Sequence, residues 1–417
     1  MKRKIQNLLI VFYFPFFFVS IEIAKSFNIE SLIVISNLPL LFYLLLNIKS
    51  LKQRFSVVKK DYLFIFITLY LFLQIYSTFN IDSVYLASAN TITLFSVLFF
   101  SFSFYKDSTE EFEKKIIYLA LSLIIAFFLV ILPLVFVGNF TIGNHYQLLF
   151  DASKTGGIKI PFLKTTLDAP NLSAITFLIT LYILLNKKKI QFFNANYLFV
   201  IIIFVVSLAE ILLINRRGPM FGAFFAVFLI FSPKIFVFIL PFLLFLPFYW
   251  DTVLKLLIPV IYNSPISNLI VNKDYTNLVE AGFRSYVWEV AGGLFTNPSF
   301  SFSYLFGFGY LQEFQKLGGY GHAHNGFMEL FLLSGFTSFL LLIFISGITI
   351  TRSYNILKSK LFSISKLLVL IFFYLLYVST TESIFFNNFF SYNLYLILLI
   401  LINISYYRYF KLSQKNI

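Results

Sequence analysis

The chain contains no cysteine, which removes thiolate nucleophiles, disulfides and Cys-based metal sites in one step. It has only three histidines, His145, His322 and His324, so a zinc site would need an unusually large carboxylate share, and no metal site or other cofactor is expected. Charged residues make up 12% of the chain, about half the share usual in soluble domains. Tryptophan occurs twice, at positions 250 and 288. No internal repeat stands out, and neither do inverted halves of the transporter kind. What fills the chain instead is apolar: 59% of its 417 residues are hydrophobic, with 59 Phe and 26 Tyr, and the mean hydropathy is +0.87. That balance excludes a water-soluble fold.

Crossing a bilayer takes roughly 20 mostly apolar residues. Such runs lie at about 6–24, 31–48, 62–79, 84–105, 116–138, 171–186, 197–214, 218–232, 235–250, 326–350, 365–380 and 389–407. The expected fold is therefore an all-α polytopic membrane protein of about 12 transmembrane helices. Residues 1–250 hold nine of these runs and an external loop at about 139–170. A second, large external loop covers 251–323, and 324–417 holds the last three runs. Loops of this length are usually functional or disordered. The larger one carries Trp288 and alternating apolar stretches, so it is expected to be partly helical and to fold against the membrane face.

Net charge is +14, and its placement says why. With Lys2, Arg3 and Lys4 inside, alternate loops and the tail after Arg408 hold 22 of the 32 basic residues and five of the 18 acidic ones. Positive charge gathers on the cytoplasmic side of membrane proteins, so both termini are expected in the cytoplasm. The charge is topological and calls for no nucleic-acid partner. No small-residue cleavage site follows Ser20, so the N-terminal run reads as a first membrane helix rather than a removed signal.

Some residues break this pattern. Arg216 and Arg217 fall in a short outward turn, Asn215-Arg-Arg-Gly-Pro219, where an unpaired guanidinium is costly. One reading is an ion pair to Glu210. The sharper one is a phosphate site, since the guanidinium fork matches phosphate oxygens bidentately and stays charged. Arg284 stands in the large outward loop, in Gly282-Phe-Arg-Ser-Tyr-Val-Trp288. That loop ends in Gly318-Gly-Tyr-Gly-His-Ala-His-Asn-Gly326, which sets His324 and Asn325 at a helix entrance on the outer surface. A histidine there is suited to proton transfer near neutral pH, or it simply caps the helix. Glu329 lies four residues on, on the same helical face as Asn325, where it orients that face or is buried. In the first loop, Lys154, Lys159 and Lys164 precede Asp168-Ala-Pro-Asn171, a helix start with Asn171 within reach of a sugar.

Together these segments resemble the O-antigen ligase and O-antigen polymerase superfamily of membrane glycosyltransferases. The resemblance rests on Pro170-Asn171, Arg217-Gly218, Arg284 to Trp288, Pro298 with Gly307-Phe-Gly309, and His324-Asn325 with Gly335, in that order along residues 165–350. Two departures stand out: Asn215-Arg216 replaces a small hydroxyl residue before the arginine, and Pro298 is further than usual from Gly307. The resemblance implies a metal-independent, inverting transfer from a glycan on undecaprenyl pyrophosphate, at the periplasmic side of a bacterial inner membrane. Arg217 and Arg284 would meet the pyrophosphate, His324 the attacking hydroxyl, and Arg216, Asn325, Glu329 and Asn171 the substrate. The acceptor would be a second lipid-linked repeat unit for a polymerase, which the Phe-, Ile- and Lys-rich composition favours, or lipid A-core for a ligase. A chain-length regulator protein is a partner of the first alternative. A lipid-linked oligosaccharide flippase would instead want charges spread through the central spans, and the runs here are mostly uncharged.

Overall fold

A computed structural model describes residues 2–27, 35–58, 62–78, 84–105, 107–137, 158–160, 163–165, 168–186, 197–214, 217–231, 245, 249, 252, 283–298, 301–307, 323, 325–358, 363–382 and 389–415. The helices are α1 (Lys2–Phe27), α2 (Leu38–Val58), α3 (Tyr62–Thr78), α4 (Val84–Ser103), α5 (Thr109–Val137), α6 (Asp168–Leu185), α7 (Tyr197–Ile214), α8 (Arg217–Phe231), α9 (Phe283–Thr296), α10 (Phe302–Phe306), α11 (Gly326–Lys358), α12 (Ser363–Val378) and α13 (Phe389–Lys415). Eleven of the apolar runs coincide with helices, and the run at 235–250 lies almost wholly outside the described residues. Among the described residues, the fold departs from all-α at one place. Ile158–Ile160 and Leu163–Thr165 form a two-stranded antiparallel hairpin, with Lys159 opposite Lys164. Its alternation of apolar and polar residues has the two-residue period of a strand, so the external loop expected at about 139–170 carries a hairpin.

Among the described residues, three helices are long and apolar enough, by length and composition, to cross a membrane: Lys2–Ile21, Gly326–Lys358 and Phe390–Arg408. Shorter apolar helices run Leu38–Ile48, Tyr62–Ser77, Thr91–Ser103, Pro170–Leu185, Tyr197–Leu212, Gly218–Leu229 and Ile364–Val378. The surface they present is that of a membrane protein. On α1, Leu8, Phe12, Phe16, Val19 and Ile23 are exposed, while Ile10, Tyr13, Phe14, Phe17 and Ile21 on the other side are buried. A helix apolar on both its buried and its exposed face has lipid rather than water as its outer neighbour.

The core of the bundle is built by α11, α12 and α13. α13 is buried from Phe390 to Ser405 and packs on α4, α11 and α12. α12 also packs on α6 and α8, while α3 and α10 lie against α11. Within this interior, polar side chains pair across helices. Tyr70 meets Tyr392 at 3.0 Å, Ser346 meets Tyr395 at 2.7 Å, and Asn403 donates to Thr349 at 2.8 Å. Such bonds hold helices together where no water competes for the donors.

One end of the bundle carries a set of ion pairs and basic side chains. Lys115 pairs with Asp107 at 2.7 Å and donates to Tyr43 Oη at 3.0 Å. Arg3 reaches Glu111, and Arg408 donates to the carbonyls of Phe104, Tyr105 and Ser108 between α4 and α5. Ser365 and Ser405, at the start of α12 and late in α13, bond at this end. The C-terminus of α12 is therefore at the opposite end, and the candidate site is there.

Candidate functional site

The site is organised by the turn that ends α12. Its backbone tightens as Ser379 N–H bonds Leu375 C=O and Glu382 N–H bonds Val378 C=O at 2.8 Å. Two other helices start against this turn. Asn325 caps α11, its Oδ1 accepting from Met328 N–H at 2.9 Å, which is the geometry of an N-cap asparagine. Its Nδ2 donates to Thr380 C=O at 2.6 Å, and the neighbouring Gly326 N–H donates to Ser379 C=O at 2.7 Å. The positive end of α11 thus meets the negative end of α12, a favourable dipole arrangement.

α8 arrives at the same place by close packing. A methyl group on Gly218 would come within 3.0 Å of Thr381 Oγ1 and 3.3 Å of Glu382 Oε1. One on Gly222 would come within 3.0 Å of Val378 and 3.2 Å of Tyr374. Gly218 and Gly222 form a small-xxx-small pair, which lets two membrane helices approach closely. α6 is tied in through Tyr374, whose hydroxyl donates to Asn171 Oδ1 at 2.6 Å. α9 is tied in through Trp288, whose Nε1–H donates to Ala323 C=O at 2.9 Å. Phe295 of α9 packs edge-on against Phe331 and Phe339 and at a tilt against Phe336 of α11.

The starts of α8 and α11 and the Trp288 side of α9 thus meet at one end of the bundle. Arg217 opens α8 immediately before Gly218, and Arg284 lies one helical turn before Trp288 on α9. The side chains of both arginines lie outside the described residues, as do Arg216 and all three histidines. His324 is bracketed by Ala323, bonded to Trp288, and Asn325, bonded to Thr380. The chain on both sides of His324 is therefore pinned to α9 and α12.

Asn171, Asn325 and Glu329 are 2%, 0% and 1% exposed. Both asparagine side chains are engaged within the protein, and the structure gives them a positioning role. Glu329 takes the buried alternative of the two considered, with its N–H on Asn325 C=O. Glu210 is also buried, on α7. Sequence reasoning missed the turn Ser379-Thr-Thr-Glu382. Its signal was present: three hydroxyl residues and an acid interrupt two apolar runs.

The chain matches no protein-family model, no curated protein and no solved structure.

Proposed function

We propose that this end of the bundle is an outward-facing glycosyl-transfer site. There, undecaprenyl-pyrophosphate-linked repeat units are joined into a surface polysaccharide. The observation that carries the reading is that one turn, Ser379–Glu382, receives both the start of α11 beside His324 and the start of α8 beside Arg217. Trp288 draws in the helix of Arg284. These are the three residues that the resemblance singles out, and more than a hundred positions separate the first from the last.

In this reaction an acceptor hydroxyl attacks the anomeric carbon of the donor glycan from the face opposite the pyrophosphate, inverting it. The bond to the pyrophosphate oxygen breaks, and the hydroxyl proton passes to His324. Negative charge grows on the leaving lipid pyrophosphate, and fixed cations aimed at developing charge lower such a barrier. Arg217 and Arg284 supply them. Asn325 and Asn171 position the helix ends. The site faces the periplasm of a bacterial inner membrane, with twelve spans and both termini in the cytoplasm. Reporter fusions after Lys188 and Lys273 should then report inside and outside respectively, and the reverse would sink both the topology and the site.

The glycan profile of a deletion strain tests the activity. Core carrying a single repeat indicates a polymerase. Loss of all polymer on lipid A-core indicates that the same site serves as a ligase. An unchanged profile overturns the proposal.

A further inference from the structure

α10 is a helix of five residues, Phe302–Phe306, in the large loop before α11. The chain around it, from Asn297 to Leu311, has no charged side chain and carries an aromatic ring at every second position from Phe300 to Tyr310. A segment that meets water on all sides would not be expected to hold such a composition.

Its position explains the composition. On α3, Tyr62, Ile65, Leu69, Phe72 and Tyr76 are exposed at alternating spacings of three and four residues, which is one helical face. The uppermost of them, Tyr76, has ring contacts at 6.3 Å with both Phe302 and Phe306, whose own rings lie 4.9 Å apart. Phe302 is 64% exposed, so the apolar face of α3 continues onto α10 without a break. The inner side of α10 is anchored, with Tyr304 buried against Phe331 and Phe336. Gly307 then packs backbone to backbone against α11 at Gly335.

We propose that α10 is seated in the boundary between headgroups and acyl chains of the bilayer, with lipid as the partner of Phe302. The external loop is thereby attached to the membrane beside α3. Three features select lipid over a protein partner or water. The patch is continuous with the lipid-facing stripe of α3. The segment is uncharged over its whole length. Its aromatic rings stand at the end of a membrane helix, where aromatic belts occur. The inference is independent of glycosyl transfer.

The natural absence of cysteine makes the test direct. Phe302→Cys, Phe72→Cys and Glu289→Cys are each made in the full chain and labelled with a nitroxide. Each is reconstituted into vesicles of phosphatidylethanolamine and phosphatidylglycerol. Accessibility to oxygen, which partitions into lipid, is then compared with accessibility to a water-soluble nickel chelate. Phe72 is a lipid-facing reference, and Glu289, exposed on α9, is an aqueous one. The expected ratio of oxygen to nickel accessibility at Phe302 is severalfold above that at Glu289 and close to that at Phe72. A ratio matching Glu289, or a label shielded from both reagents, would overturn the proposal. Phe302 is exposed, so its replacement leaves the core intact, and a thermal melt equal to the parent's verifies that each labelled chain is folded.

Discussion

Gly307 and Gly335 stand back to back, 28 positions apart in sequence, and neither has room for a side chain. A methyl on Gly307 would lie 2.0 Å from Leu333 O, and one on Gly335 would lie 2.4 Å from Gly307 N. Both residues have positive φ, +98° and +79°, a region that L side chains rarely adopt. Gly335 breaks α11, so the same contact docks α10 and bends the helix that starts at the candidate site. Ser334, beside the break, donates to Gln74 and Ser77 of α3 at 3.1 and 3.2 Å.

Replacing either glycine by alanine should therefore lower stability by about 1–3 kcal/mol from backbone strain alone, with the steric clash adding to it. Thermal unfolding of the detergent-solubilised protein measures this. Gly293→Ala and Gly347→Ala, where a methyl meets nothing within 4 Å, serve as controls and should behave like the parent. Equal melts for all four variants would contradict the packing at Gly307 and Gly335.

Asn325 combines a cap with a bond between helices. Asn325→Ala should cost about 1 kcal/mol for the cap and more for the orphaned Thr380 carbonyl. Asn325→Ser restores the cap oxygen but not the bond to Thr380, so its melting temperature should fall between the other two. A serine variant no more stable than the alanine one would mean that the cap contributes little.

At the opposite end, Lys115 and Asp107 have side chains 12% and 3% exposed. Removing one partner of a buried pair costs about 3–5 kcal/mol, so Lys115→Met should destabilise more than the double variant with Asp107→Asn. Burial by itself works against the Lys115 ammonium, but Tyr43 and Asp107 outweigh it and raise its pKa above the usual lysine value. A raised folded-state pKa gives stability that is complete below the unfolded value, about 10.4, and is lost as pH rises through the folded one. The gap between parent and Lys115→Met should thus be constant near neutral pH and close only above that value, as read from melts across pH.

For the proposed transfer, Arg217→Lys and Arg284→Lys keep the charge but lose the bidentate fork, and both should lose much of the activity. His324→Ala should abolish polymerisation or nearly so while the protein still reaches the membrane, and His322→Ala should be better tolerated. Polysaccharide chain length in complemented cells is the readout. Full-length chains from His324→Ala would remove it from the mechanism. Chelators should leave activity intact, and a loss on EDTA treatment that one divalent ion restores would show that a metal takes part.

The sequence by itself determined where the helices are. In lipid every backbone N–H and C=O must find a partner within the protein. An apolar run of sufficient length therefore becomes a helix whatever its neighbours: Tyr197–Ile214 forms over the run at 197–214, while Leu38–Val58 and Gly326–Lys358 include the described parts of the runs at 31–48 and 326–350 and continue past them. The helix entrance at Asn325 was legible for the same reason, because a cap bonds within three residues. Only the tertiary structure decided which ends meet. The bond from Asn325 to Thr380 spans 55 positions, that from Tyr374 to Asn171 spans 203, and that from Ser334 to Gln74 spans 260. No period or propensity encodes such pairings. They follow from side-chain shape at the contacts, where Gly218 and Gly222 admit α12 and Gly307 admits Gly335, and a residue's fit to a distant partner exists only once both helices are packed.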